Sequence, residues 1–287
     1  MASLKEIKKR ITSVKNTQKV TKAMKLVAAA KLRRAQQAAL ASRAYVDELA
    51  GIVGRVSASA GEDAPRLMQA GQSKDTTLVV LTSDRGLCGG FNENLIRATA
   101  VWIQKTEADN SKVHSMVFGR KGCSGFTRLK IPADLRAEEM ADGSLDELVN
   151  LIVKEVSARF ISDKSGKVIL AYNRFVSAGR QEIFFENLLP FGSNETTVNT
   201  GFEHIYEPSK SEMIQTLIED ALEGSVRQAL LDSRASELAA RMMAMDNATK
   251  NASEMIDDLT LEFNRARQAA ITGELLDILG GAAALNG

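Results

Sequence analysis

Proline is scarce and unevenly placed. Only four occur in 287 residues (Pro65, Pro132, Pro190 and Pro208), so neither the segment up to Ala64 nor the one after Pro208 contains one. Proline removes a backbone donor and its ring clashes with the preceding turn, so both ends can run as uninterrupted helix. Cysteine is limited to Cys88 and Cys123, which have neither metal-ligand spacing nor the density of a disulfide framework, as expected in a reducing compartment. The two histidines, His114 and His204, stand apart, and no Ser/His/Asp set, catalytic cysteine pairing or clustered carboxylate dyad appears. The residues therefore offer no catalytic centre, metal site or cofactor of their own. There is no run of about eighteen apolar residues, which excludes a membrane-spanning helix. The lysine-rich start lacks the apolar core, cleavage site or serine-rich character of a targeting segment and reads as part of the fold.

What is present begins with the C-terminal segment. A helix from Ser209 to about Gly280 would span roughly 105 Å at about 1.5 Å per residue, against a diameter near roughly 50 Å for a compact chain of this length. The expectation is a compact head on a long rod. Alternate steps of three and four residues trace Ile214, Leu217, Ala221, Gly224, Gln228, Leu231, Ala235, Leu238, Met242, Met245, Thr249, Ala252, Ile256, Leu259, Phe263, Ala266 and Ala270. This spacing of about 3.5 residues is that of a left-handed coiled coil. The partner is expected in the N-terminal segment, with Leu4, Ile7, Ile11 and Val14 in register and then Val20, Met24, Val27 and Leu32 on a drifting face. The rods are expected at 1–57 and 209–287, flanking a globular domain at 75–200.

Charge separates the two ends. Up to Tyr45 there are twelve basic residues and the single acid Glu6, whereas from Ser209 onward there are seven basic and thirteen acidic residues. Opposite fields favour antiparallel pairing, and the chain as a whole stays near neutral at +1. Nucleic acid, an anionic membrane or an acidic protein surface could satisfy the basic helix. The stretch is lysine-rich with Tyr45 as its only aromatic, and its apolar face lacks Trp and Phe, so an acidic protein fits better than the other two. A coiled-coil nucleic-acid adaptor stays as the alternative class.

The middle alternates strand and helix, which predicts an α/β, Rossmann-like domain with a mainly parallel sheet. Strands are expected at Thr76–Thr82 and Lys112–Phe118, with a helix between them to about Glu107. A second helix, Ser144 to about Phe160, is opened by a capping box of Ser144 and Glu147. A hairpin of Val168–Tyr172, with an extension to Val176 as the alternative, and Gln181–Leu188 closes the sheet, with Gly179 in its turn. The glycine turn SDRGLCGGFN (Ser83–Asn92) follows a strand and precedes a helix, as a phosphate cradle does. Its order, Gly86, Gly89, Gly90, matches neither GxGxxG nor GxxxxGK[ST], so tight turning and close packing explain it better than anion binding.

Four ordered stretches resemble a known family. They are Ile7–Gln36 (IKKRITSVKNTQKVTKAMKLVAAAKLRRAQ), the turn Ser83–Asn92, Ala235–Asn251 (ASELAARMMAMDNATKN) and Arg265–Ala284 (RARQAAITGELLDILGGAAA). Together they closely resemble the gamma subunit of F-type ATP synthases, over essentially the whole chain. The resemblance implies a non-catalytic rotary shaft that couples proton-driven rotation of the c-ring to the catalytic beta subunits. Its partners are the alpha3beta3 hexamer, epsilon and the c-ring.

By the same resemblance, Met24, Lys25, Arg241, Arg267, Gln268 and Thr272 contact the beta subunits. Gly280, Gly281, Ala282, Ala283 and Ala284 form the tip in an apolar sleeve, and His204, Tyr206 and Glu207 meet the c-ring. Lys25 stands where relatives frequently have an acid. The regulatory cysteine insertion of chloroplast relatives is absent, so thiol control is not expected. A start at Met1 directly before the rod fits a bacterial protein, peripheral on the cytoplasmic face of the inner membrane.

Overall fold

The structure, a computed structural model, describes residues 4–60, 65–138, 145–191 and 209–285. The elements run α1 (Leu4–Ala60), β1 (Thr76–Leu81), α2 (Phe91–Ala108), β2 (Val113–Phe118), α3 (Arg120–Arg128), β3 (Leu135–Ala137), α4 (Leu145–Ile161), β4 (Lys167–Ser177), β5 (Arg180–Leu189) and α5 (Lys210–Leu285). Within the described residues each proline-free end forms one long helix: α1 has 57 residues and α5 has 76. The chain divides into two compact units, a larger one of Ala29–Arg241 and a smaller one of Met1–Ala28 with Met242–Gly287.

The larger unit is built on a five-stranded sheet of order β3-β2-β1-β4-β5. β1 lies parallel to β2 and β4, β2 parallel to β3, and only β5 runs antiparallel, against β4. The fold is therefore mixed α/β with the mainly parallel sheet and terminal hairpin that the alternation predicted. All six residues of β1 are buried, as a central strand covered on both faces requires. Because successive side chains point to opposite faces, Leu78 and Val80 pack with Leu95, Ile103 and Phe126 of α2 and α3. Val79 and Leu81 pack instead with Val149, Ile152, Val156 and Phe160 of α4, with Leu49 and Val53 of α1, and with Ile218, Leu222 and Val226 of α5.

Two elements went unforeseen. α3 (RKGCSGFTR) has two internal glycines, each weakening a helix by about 1 kcal/mol, and β3 has only three residues. Packing reverses that local disfavour. A Cβ on Gly122 would stand 2.5 Å from Thr82 Oγ1, and one on Gly125 would stand 2.5 Å from Ile96 Cδ1, so α3 can lie this close only without them. The proposed cap at Ser144 lies outside the described residues.

In the smaller unit α1 and α5 pair antiparallel. Thr21 Oγ1 lies 2.8 Å from Thr249 Oγ1, and Lys25 Nζ donates to Asp246 Oδ1 at 2.6 Å. Across both units the α5 seam is as expected up to Ala266: Ile214, Ala235, Met245 and Leu259 are buried, and Ala266 is half-buried, while Ala270 is exposed. The α1 face requires correction. Val20 and Val27 are 58% and 56% exposed, and the heptad instead continues through half-buried Gln18 and buried Thr21, Ala28 and Leu32. The apolar pattern drifted because the seam is polar at this level, where Thr21 meets Thr249.

Candidate functional site

Three places in the molecule could carry function. The first is the glycine turn, at the carboxyl end of β1. The order of strands reverses beside β1, where open α/β sheets commonly bind ligands. Here the turn is closed by the chain itself. Ser83 N donates to Asn92 Oδ1 at 2.9 Å, Asn92 Nδ2 donates to Ser83 Oγ at 2.8 Å, and Arg241 Nη2 donates to Gly86 O at 3.2 Å. Leu87 and Gly89 have φ of 63° and 57°, so the glycine serves the turn geometry the sequence called for. Cys88 beside it and Cys123 in α3 are buried, and burial pushes both thiols up, away from the reactive thiolate form.

The second is a polar cavity of about 580 Å³ at the amino ends of β1 and β2, lined by Asp75, His114, Asp134, Glu155, Arg159 and Asp163 among others. His114 Nδ1 stands 2.9 Å from Asp134 Oδ2, its Nε2 stands 3.6 Å from Asp75 Oδ2, and Arg159 Nη1 donates to Asp134 Oδ2 at 2.8 Å. Burial alone would raise the Asp134 carboxyl; the hydrogen bonds from Arg159 and His114 outweigh it and hold the group below the ordinary carboxylate range. Its ionised form therefore stabilises the fold above the unfolded carboxylate range, and that stability is lost as pH falls through the lowered value. Asp134→Asn should flatten the loss of stability between about pH 6 and about pH 3 by roughly 1 kcal/mol, after allowance for its partial exposure. Urea unfolding at each pH reads this, and identical slopes in both proteins would refute it.

The third is the surface of the long helices, where most of the site residues expected by resemblance lie. Met24 is half-buried on α1, and Lys25 is held by Asp246, which also accepts from Lys250 at 3.1 Å. These paired bases hold the Asp246 carboxyl low through hydrogen bonds from Lys25 and then Lys250. Lysines 15, 19 and 22 stay exposed, as do Val20, Leu26 and Val27 among them. Val20 and Val27, which the heptad reading had assigned to the interior, are thus on the surface, and Leu26 with them.

On α5, Arg267, Gln268 and Thr272 are exposed, and Thr272 Oγ1 donates to Gln268 O at 2.9 Å, which places those two one turn apart on one face. Arg241 is not with them. It belongs to the larger unit, where its Nη2 donates to Glu237 Oε1 at 2.7 Å as well as to Gly86 O. Carrying the Thr21–Thr249 register to the start of α1 sets Leu4 opposite Ala266, and past that point α5 has no described residue of α1 to face. Ile271, Leu275, Leu276, Ile278 and Leu279 are accordingly 50–68% exposed. The reading of the sequence missed these last four side chains; the signal was the seam's end at Ala270 with leucines still to come. Gly280 to Ala284 continue the helix, whereas His204, Tyr206 and Glu207 lie outside the described residues.

No helix among the described residues is long and apolar enough to cross a membrane. Comparison with known proteins gives one consistent result. A family model described as ATP synthase matches residues 3–285. The ATP synthase gamma chain of Geobacter metallireducens is 43% identical over 288 residues, covering 100% of both chains, and that of Geotalea daltonii is 44% identical over 293 residues with the same coverage. A chain of the central stalk and c-ring structure of Tetrahymena thermophila mitochondrial ATP synthase is 27% identical, with a TM-score of 0.61, covering 80% of this chain and 99% of that one. Its proline-free paired helices, its α/β sheet and its full-length match together place the chain in the ATP synthase gamma-chain family.

Proposed function

We propose that this chain is the central rotary shaft of a bacterial F-type ATP synthase, itself non-catalytic, peripheral on the cytoplasmic face of the inner membrane. The observation that carries this is the end of α5, which among the described residues has no partner helix and exposes five large apolar side chains, on a chain belonging to the gamma-chain family. Such a surface requires a surrounding apolar partner, and an alpha3beta3 hexamer supplies one around the tip Gly280–Ala284. The N- and C-terminal helices act as the rod, assigned to 1–57 and 209–287, and the globular α/β domain, assigned to 75–200, as the base on epsilon and the c-ring.

Rotation acts on the catalytic subunits by changing which contacts each beta subunit meets. A ligand shifts a conformational equilibrium only through its different affinity for the two states, and a shaft with unlike faces gives each of three positions a different bias. Arg267, Gln268 and Thr272 offer exposed polar groups for such contacts. Met24, half-buried, adds an apolar contact beside Lys25, whose own contact must compete with Asp246. Arg241 would act from within α5, beside the glycine turn, and His204, Tyr206 and Glu207 at the c-ring.

The test is affinity capture of the chain from native membranes, with identification of every partner and assay of ATP hydrolysis. Alpha, beta, epsilon and c subunits should be recovered with the chain, and the hydrolysis should be proton-coupled. The chain purified alone should hydrolyse no ATP. Recovery of nucleic acid with a steep salt dependence, in place of those subunits, would establish the adaptor reading instead.

A further inference from the structure

Within the larger unit, the buried side chains of α1 and α5 are mostly apolar. Ala221, Gly224, Ala229, Ala235 and Ala239 are buried on α5, and a Cβ on Gly224 would stand 3.2 Å from Val46 Cγ2, so the helices approach closely over small side chains. Apolar burial is non-directional and fixes the register of two helices less sharply than a charged contact does. At Arg43 the seam changes character. Its Nη2 donates to both oxygens of Asp232, at 3.0 and 2.9 Å, and the Asp232 side chain is only 3% exposed. By contrast, the Asp246 side chain that pairs with Lys25 is 23% exposed.

Polar groups gather around this pair. Gln228 and Ser236 lie one turn before and one turn after Asp232 on α5, both buried. Neither amide atom of Gln228 nor the Ser236 hydroxyl reaches a partner at hydrogen-bond distance, although the Gln228 amide helps to hold the Asp232 charge. Glu186 of β5, whose Oε2 accepts from Tyr172 OH at 2.9 Å, and Arg174 of β4 act electrostatically on Asp232 and on each other. Burial pushes the Asp232 carboxyl up, and Arg43 acts against it. Only the acid is buried, the Arg43 side chain being 42% exposed; an interior carboxylate with its counter-charge is often matched in stability by apolar side chains of the same volume, so stability does not explain this layer. Register does: Arg43 Nη2 reaches both Asp232 oxygens in one axial setting of the two helices, and a slip of one turn leaves Asp232 buried and unpaired.

We propose that Arg43 and Asp232 are positioning residues for rotary coupling, a pin that fixes α1 against α5 so that torque is transmitted and not dissipated as sliding. The proposal rests on the shaft reading above. Its test uses membrane vesicles carrying the whole complex, with three measurements: thermal unfolding, ATP hydrolysis, and ATP-driven proton uptake per ATP hydrolysed. In the double variant Arg43→Met with Asp232→Leu, an apolar pair fills the same space. Unfolding and hydrolysis should stay within about twofold of wild type while uptake per ATP falls by about fivefold or more, a coupling loss of the usual size for linked sites. Arg43→Lys, which keeps the charge on a shorter side chain that stops short of the Nη2 position, should fall between.

A purely structural role predicts the reverse, with the apolar pair coupling as well as wild type, and that result overturns the pin. If the apolar pair does not assemble, Arg43→Lys decides alone: reduced uptake per ATP at unchanged hydrolysis supports the pin, and unchanged uptake overturns it. Failure of proton uptake in wild-type vesicles that hydrolyse ATP would instead overturn the shaft reading beneath it.

Discussion

Gly119→Ala is expected to destabilise the sheet-bearing unit by roughly 2–6 kcal/mol, from backbone strain and overpacking together. Gly119 joins β2 to α3 with φ of 97°, a conformation that side chains rarely adopt. A Cβ there would stand 2.4 Å from Thr82 O and 2.6 Å from Thr82 Oγ1. Neither neighbour can withdraw. Thr82 N donates to Phe118 O at 2.9 Å, Thr82 Oγ1 accepts from Gly122 N at 2.8 Å, and Gly119 N donates to Ala137 O at 2.8 Å, so the position stitches three strands and a helix together. Trp102, the chain's single tryptophan, stacks on Phe185 at 5.7 Å between centroids and reports urea unfolding of this unit. Gly179→Ala, in the hairpin turn with nothing within 4 Å, is the control and should change stability by about 0.5 kcal/mol or less. A Gly119→Ala protein as stable as the control would show that the junction tolerates movement.

A chain truncated before Arg265 should still assemble and support ATP hydrolysis within about twofold, while proton uptake per ATP falls by about five- to tenfold. That corresponds to about 1–1.4 kcal/mol of lost coupling. Truncation removes Arg267, Gln268, Thr272 and the exposed apolar side chains from Ile271 to Leu279, none of which is buried in this chain. The fold has little reason to respond, because the buried seam residues Met245, Ala252 and Leu259 remain. Partial tolerance is expected because many contacts along the helices share the load. If uptake per ATP is unchanged, the tail is not a coupling element; if assembly collapses first, its role is to hold the subunits together.

The two long helices were legible because proline placement and a 3.5-residue period act over distances that local noise does not blur. β1, β2, α2, α4 and the hairpin were legible for a similar reason, each having a pattern of its own. α3 was not, because its glycines disfavour a helix locally and become necessary only where Thr82 and Ile96 crowd it. Val20 and Val27 misled the α1 seam because the interior position was taken by Thr21, and a threonine pair across two helices cannot be seen from either one. The same limit hid Arg43 with Asp232 and Arg241 with Gly86, pairs far apart in sequence whose meeting is a product of the fold. The contact residues themselves were readable only through resemblance, since an exposed arginine or glutamine on a helix has no pattern to distinguish it.

The bare end of α5 also bears on how the molecule is made. A helix stretch without a packed face is marginal in water, and one that displays Leu275, Leu276, Ile278 and Leu279 is adhesive as well. Free copies synthesised in excess of their companions would tend to clump through these side chains, so the cell gains by producing the chain in step with them and engaging this end early.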